Sequence, residues 1–282
     1  MIAILGGIGA AAAWAISTLC SSRSSRMIEP LAVVAWVMLV GLVITAPIAA
    51  AEGVPNFSAE SLTWLIVSGG GNVAGLLLAY KALRVGQVAL VAPLVSTEGA
   101  IAATIALIAG ESVDPGIAVA LGLVAAGVCL SSVPDPATAE RSAARHPEGV
   151  AFAVGAALIF GASLYATGRA GATLPSAWVV LSARVIGTFA VAIPLAVARR
   201  LPLPAGVLPL VVAAGVCEVL GFYSFTAAAR HQIAVAAVLS SQFATLAAIG
   251  AYVLFGERLT RIQLYGVTSV VAGVALVSAL SA

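Results

Sequence analysis

Apolar residues fill this chain in ten long blocks divided by short polar breaks, without the two-residue alternation that a membrane barrel strand would show. In the first half the blocks run Ile2 to Cys20, Pro30 to Ala51, Leu62 to Tyr80, Gln87 to Ala109 and Pro115 to Ser132. In the second half they run Val150–Ala170, Pro175–Ala198, Ala205–Ala229, Gln232–Leu254 and Gln263–Leu280. A helix rising about 1.5 Å per residue needs about 20 residues to cross roughly 30 Å of hydrocarbon. The blocks therefore predict helices of spanning length, and the short breaks predict that neighbours run antiparallel. An open sheet could not satisfy its backbone in lipid, which also favours helices.

The second half repeats the first at a fixed distance. Ile105-Ala-Leu-Ile-Ala-Gly110-Glu111 returns 146 residues later as Ala251-Tyr-Val-Leu-Phe-Gly256-Glu257. Without a gap the same offset carries Gly75 onto Gly221, Gly127-Val128 onto Gly273-Val274, and Arg84 onto Arg230. Such self-similarity marks a duplicated architecture. The expected organisation is a first five-helix repeat over 1–133, a polar linker over 134–149 and a second five-helix repeat over 150–282. The linker is the longest polar stretch, with Pro134, Asp135, Pro136, Glu140, Arg141, Arg145, His146 and Glu148.

Composition identifies the solvent. Hydrophobic residues make up 62% and charged residues 9%, with a mean hydropathy of +1.14; a soluble domain carries about a quarter charged residues. This is the composition of a multi-pass protein of the cell membrane. The first block lacks a basic leader and a good cleavage site, and its counterpart Val150–Ala170 is internal, so it too is read as a span. A net charge of +2 in scattered residues does not suggest nucleic acid. Cys20, Cys129 and Cys217 lie far apart in apolar surroundings and read as small packing residues. With His146 and His231 both in loops, no metal or cofactor is expected.

Five spans per repeat is an odd number, so the halves should cross in opposite senses. Arg23, Arg26, Lys81, Arg84, Arg141, Arg145, Arg199, Arg200, Arg258 and Arg261 lie in odd-numbered loops, whereas the even-numbered loops hold Arg169 and Arg230. Basic loops stay cytoplasmic, which predicts both termini outside. The expected fold is all-α and integral to the membrane: ten transmembrane helices as two inverted five-helix repeats.

The paired ends Gly110-Glu111 and Gly256-Glu257-Arg258-Leu259-Thr260, each followed by an apolar helix with Gly-Val near its end, resemble the EamA-type branch of the drug/metabolite transporter superfamily. Ser182-Ala183-Arg184 adds to the likeness, since that family often carries an Arg in the second helix of a repeat. The likeness covers nearly the whole chain, and it implies a ten-helix transporter of small metabolites, amino acids or drugs, often outward and often by proton exchange. Two departures stand out. Met38 lies opposite Arg184, so the first repeat has no matching Arg. The family is usually drawn with both termini cytoplasmic, against the charge pattern here.

Ionisable residues near the middle of a span usually face a cavity or a partner. Three qualify: Glu98, Arg184 and Glu218. Burial opposes ionisation of a carboxylate and a nearby guanidinium favours it, so a Glu held between the two suits proton exchange; the other reading is a permanent bridge to Arg184. Glu218 leads the candidates, because Phe222 and Phe225 follow at i+4 and i+7 and would give an acid and two rings on one face. That face suits an amine or aromatic solute through charge and cation–π contact, or simply packs. Asn72 is the repeat equivalent of Glu218. Gln242 sits in a polar stretch with Ser240, Ser241 and Thr245; Gln242 either binds solute or joins helices, and helix contact is expected of the Ser and Thr residues. Trp14 and Tyr165 are lesser aromatic candidates. Gly69, Gly70, Gly71 and Gly75 are read as close helix approaches, and Glu111 and Glu257 as turn residues.

No nucleophile–base set or acidic metal cluster supports an intramembrane enzyme, and no filter motif supports a selective channel. A secondary transporter of a small molecule, working by alternating access with the two five-helix halves rocking about a central site, accounts for the repeat and the mid-span acids. Proton coupling and export belong to that reading; a facilitative uniporter or channel-like pore is the alternative. The duplication could complete a pathway within one chain, so a monomer is plausible, and the sequence leaves monomer and dimer both open.

Overall fold

The computed structural model describes residues 1–85, 91, 94–131, 147–246 and 261–280. Gly256, Glu257, Arg258, Thr260 and most of the linker fall outside these residues. The described residues form helices and contain no strand. In chain order we label α1 (Ile2–Ser24), α2 (Pro30–Glu52), α3 (Ala59–Val85), α4 (Glu98–Ile108) and α5 (Pro115–Ser131), then α6 (Pro147–Thr173), α7 (Ser176–Val197), α8 (Leu208–Ala229), α9 (Ile233–Ser240) and α10 (Arg261–Leu280). The chain is an all-α, ten-helix inverted-repeat membrane protein. Six of the helices (α1, α2, α3, α6, α7 and α8) are long and apolar enough to span a bilayer; the other four are shorter in their described parts. α6 includes Pro147, Glu148 and Gly149, so the last three residues of the expected linker are helical.

Helix ends follow local chemistry. Ser58 and Ser61 exchange hydrogen bonds at the start of α3 in a reciprocal cap. Asp114 Oδ1 accepts from Gly116 N–H at 2.8 Å and begins α5, with Pro115 in the first turn. The Gly110-Glu111 pair ends α4 in a Schellman motif: Gly110 N–H donates to Leu107 O, and Glu111 N–H to Ala106 O. Gly110 stands at φ +94, where a side chain would be strained. The Glu111 carboxylate then reaches across to accept from Ala234 N–H at 3.2 Å, capping α9. This turn therefore ends one helix and begins another. Burial raises the Glu111 pKa, opposed by hydrogen bonds from Ala234 and Ile233.

The repeat offset is written into the packing. Gly75 lies against Phe160, and 146 residues on, Gly221 lies against Trp14, the counterpart of Phe160. Gly69 meets Ala183, and Gly215 meets Val37. Gly41 meets Arg184, and Gly187 meets Met38. Gly127 meets Val270, and Gly273 meets Val124. Each contact is its partner's image under one two-fold operation. Gly71 likewise approaches Ser163, but Gly70 has nothing within 4 Å, so of the four glycines expected at helix contacts it alone makes none.

The same operation organises whole helices. α3 packs chiefly on α6, as α8 does on α1; α4 on α6 mirrors α9 on α1, and α2 on α8 mirrors α7 on α3. α2 with α7, α4 with α9, and α5 with α10 each pair a helix with its own counterpart, so these contacts lie on the axis. Contacts between successive helices inside a repeat are few among the described residues. The two sequence halves are thus interleaved, the main packing partner of each long helix coming from the opposite repeat. Small residues at the crossings let helices of opposite repeats approach more closely than neighbours in sequence.

Polarity is distributed inside out relative to a soluble protein. Val43, Ile66, Ile108, Val119 and Val197 point outward, whereas Thr45, Ser68, Asn72, Ser163, Thr167, Arg184 and Thr226 are buried. Ser68 and Thr167 hydroxyls meet at 2.6 Å between α3 and α6, and Ser163 donates to Ser68 O at 2.7 Å; such bonds contribute about 0.6–1.7 kcal/mol each in a bilayer. Cys20 and Cys217 are half-buried as expected, but Cys129 is exposed on the apolar surface.

Candidate functional site

Three apolar segments are interrupted, two by a turn at an end of a described helix and one by a π turn within a helix. α4 is preceded by a turn at Thr97, where Thr97 N–H and hydroxyl both engage Leu94 O. α9 stops at Ser240, and Ser241 and Gln242 form the corresponding turn, with Gln242 N–H donating to Leu239 O. These breaks fall at nearly equivalent repeat positions and meet, since Gly99 lies against Ala237 and Ser241. In α7 a π turn spans Thr188–Ala192, closed by Ile193 N–H donating to Thr188 O, just before Pro194, which has no N–H to give. Broken helices meeting at mid-membrane are the usual frame of a transporter site.

Arg184, one turn before the π turn of α7, is fully buried at 0% exposure. Its Nη2 is 4.0 Å from Glu218 Oε1, its Nη1 donates to Met38 Sδ at 3.4 Å, and its guanidinium stands 5.2 Å from the Phe222 ring centroid. Glu218 Oε2 also accepts from Ser17 at 3.4 Å. Two donors, Nε and Nη2, have no hydrogen-bond acceptor among the described residues. A buried charged donor without an acceptor costs more than about 1–3 kcal/mol, a cost that the Glu218 charge 4.0 Å away offsets in part. Glu98, in the first turn of α4, is 6% exposed, and the Glu218 carboxylate is near enough for their charges to interact.

The other candidates surround this centre to different degrees. Phe222 and Phe225 are buried at 5% and 0%, stacked with Trp14 at centroid distances of 5.2 and 6.0 Å. They therefore present packed rings rather than an open face, and the Phe222 ring is already next to Arg184. Asn72 is buried, and its Oδ1 lacks a donor among the described residues. Gln242 Nε2 donates to Val238 O within its own helix, while its Oε1 likewise lacks a described donor. Ser240 and Ser241 bond back to Ala237 O and Val238 O, so these bonds stabilise the break and do not join helices as expected.

Sequence reasoning missed Ser17 and Gly41 around Arg184; the repeat offset held the signal, since it pairs Gly41 with Gly187 and Ser17 with Ser163. It also missed a cavity of about 380 Å³ at the end that carries the even-numbered loops. Glu60, Trp64, Glu111, Tyr165, Arg169, Arg230 and His231 are among its lining residues. Arg169 and Arg230, the two exceptions to the loop-charge bias, were the available clue. Arg230 donates to Gly171 O and Leu174 O at the end of α6.

An inverted-repeat bundle with broken helices, a buried charged centre on its axis and a cavity at one face defines a membrane transporter. The profile of the EamA-like transporter family matches residues 1–133 and again 147–279, and the chain belongs to that family. It is accordingly a multi-pass membrane protein and a transporter of small solutes in the drug/metabolite transporter superfamily. A solved structure described only as "Crystal structure of protein" superposes with a TM-score of 0.77 at 18% identity, covering 99% of this chain and 96% of that one, and supports the same fold. No curated protein matches in sequence.

Proposed function

We propose that this chain exports a small amine- or amino-acid-like solute by alternating access, with a proton moving in exchange. The observation that carries the reading is the Arg184 guanidinium, buried with Nε and Nη2 lacking acceptors among the described residues, 4.0 Å from the Glu218 carboxylate, which in turn interacts with Glu98. A solute carboxylate satisfies those donors, and an ammonium is balanced by Glu218 or Glu98. Protonation of either acid competes with the ammonium, which is the elementary requirement for exchange. Asn72 and Gln242 supply hydrogen bonds to the rest of the solute, and the Phe222 ring beside Arg184 its apolar contact.

The moving bodies follow from the interleaved packing. α1, α2, α8 and α9 form one body, and α3, α4, α6 and α7 form the other, tilting about the α2–α7 and α4–α9 contacts. If basic loops are cytoplasmic, the described cavity opens outward. The alternative is a uniporter in which Arg184 and Glu218 stay paired, a reading favoured by their 4.0 Å separation.

The test is uptake into proteoliposomes carrying an internal pH dye, across a panel of amino acids and organic cations, with wild type beside Glu218→Gln. Solute-dependent proton movement that disappears in the variant is the expected result. Solute movement without protons, unchanged in the variant, would establish the uniporter instead.

A further inference from the structure

We infer that Tyr165, braced by Trp64, is the gate between the even-loop cavity and the buried charged centre, an inference that rests on the transporter reading above. The cavity reaches inward to Tyr165, Gly168 and Ala106 and stops there. One turn further along α6, Gly161 packs so closely on α4 that a Cβ there would meet Ile101 and stand 3.0 Å from the Glu98 carbonyl. Tyr165 is the largest residue that α6 gives to the cavity lining, and from it the helix continues toward the α4 turn that carries Glu98. Beside Tyr165 the cavity is lined by Ala106 on α4, Gly168 on α6 and Ile233 on α9, so the Tyr165 ring is the largest group at that point.

The ring is held from outside. Trp64 stands edge-to-face with Tyr165 at 5.8 Å and 86°. Trp64 Nε1 donates to Glu60 Oε1 at 3.2 Å, and the same oxygen accepts from Arg169 at 3.4 Å. The Arg169 guanidinium also lies 5.6 Å from the Trp64 ring. Glu60 and Arg169 thus clamp Trp64, and Trp64 sets the Tyr165 ring. Both charges are at the exposed rim, so the clamp is weak, as a gate that must open requires.

The repeat argues that the arrangement is specific to this face. The positions 146 residues from Trp64 and Tyr165 are Leu210 and Leu19, and that of Glu60 is Gly206. Elsewhere, Gly75 and Gly221 keep paired aromatic neighbours under the same operation; here Arg169 has a counterpart in Arg23, but only one half carries the two rings and the clamping carboxylate.

The experiment uses the full-length protein with Cys20, Cys129 and Cys217 replaced by Ala and one reporter, Ala102→Cys, a turn below Ala106. Reaction with a small membrane-impermeant thiol reagent is timed in proteoliposomes, with Tyr165→Ala and Tyr165→Phe introduced in turn. Tyr165→Ala is expected to speed labelling about tenfold, as for a state populated at 10% or less becoming dominant, while Tyr165→Phe keeps the slow rate. Equal rates in the parent and Tyr165→Ala would overturn the gate. So would equal acceleration by Phe and Ala, since it would report general loosening. Transport of the solute panel by the same preparations bears separately on the proposed substrate: failure there leaves the labelling ratio intact.

Discussion

Replacing Arg184 and Glu218 with their first-repeat counterparts, Met38 and Asn72, measures what the buried pair contributes. Arg184→Met alone leaves the Glu218 side chain, 13% exposed, without the guanidinium that stands 4.0 Å away. Removing one partner of a buried pair destabilises by about 3–5 kcal/mol. The long separation and the remaining hydrogen bond from Ser17 place this case near about 3 kcal/mol. For a chain of this size that lowers Tm by about 6–12 °C. Arg184→Met combined with Glu218→Asn rebuilds a Met–Asn combination that the fold already accommodates across the two-fold axis, because the introduced thioether faces Gly41 as the Met38 side chain faces Gly187. Replacing both members of a buried pair is often neutral or stabilising, so the double variant should return to within about 1 kcal/mol of wild type. Glu218→Asn, which leaves Arg184 buried without its carboxylate, should also cost about 3 kcal/mol, so thermal unfolding of the four detergent-purified proteins, followed by loss of helicity, should give a coupling of about 5 kcal/mol. A double variant less stable than Arg184→Met, or an additive cycle, would refute the pairing.

The backbone and the Glu111 cap offer further tests. Gly71→Ala puts a Cβ 2.9 Å from Ser163 Cβ and should destabilise by about 1–3 kcal/mol, whereas Gly70→Ala meets nothing within 4 Å and should be neutral or gain up to about 1 kcal/mol, both read by thermal unfolding. Arg199 occupies the left-handed position after α7 at φ 54, so Arg199→Gly should raise stability by about 1 kcal/mol and leave transport unchanged. Burial holds the folded-state Glu111 pKa above its ordinary 4.5. The folded protein then binds more protons than the unfolded chain above that value, so the Glu111 contribution is complete below about pH 4.5 and is lost as pH rises through the folded-state pKa. Glu111→Gln keeps an acceptor for Ala234 and should flatten that part of a Tm-against-pH profile; an unchanged slope would assign it to other groups.

The sequence alone carried the solvent, the helix count and the duplication, because each depends on composition or spacing. Lipid demands long apolar helices whatever their partners, and a 146-residue offset survives in small residues such as Gly75 and Gly221, where helices cross too closely for a Cβ. It singled out Arg184, Glu98 and Glu218 for the same reason: a charge in hydrocarbon stands out against its neighbours. Distances across the bundle were not legible. No local pattern says that α1 packs on α8 in preference to α2, because that choice is made by the two-fold fit of small faces from opposite repeats. Nor does spacing reveal that Phe222 and Phe225 close against Trp14, or that Glu111 caps a helix 123 residues further on. The cavity is the extreme case, since Glu60, Trp64, Tyr165 and Arg169 come from two helices and meet only after the bundle closes. Composition and periodicity are local properties of the chain; who faces whom is decided when the interleaved repeats bury their small and polar faces against one another.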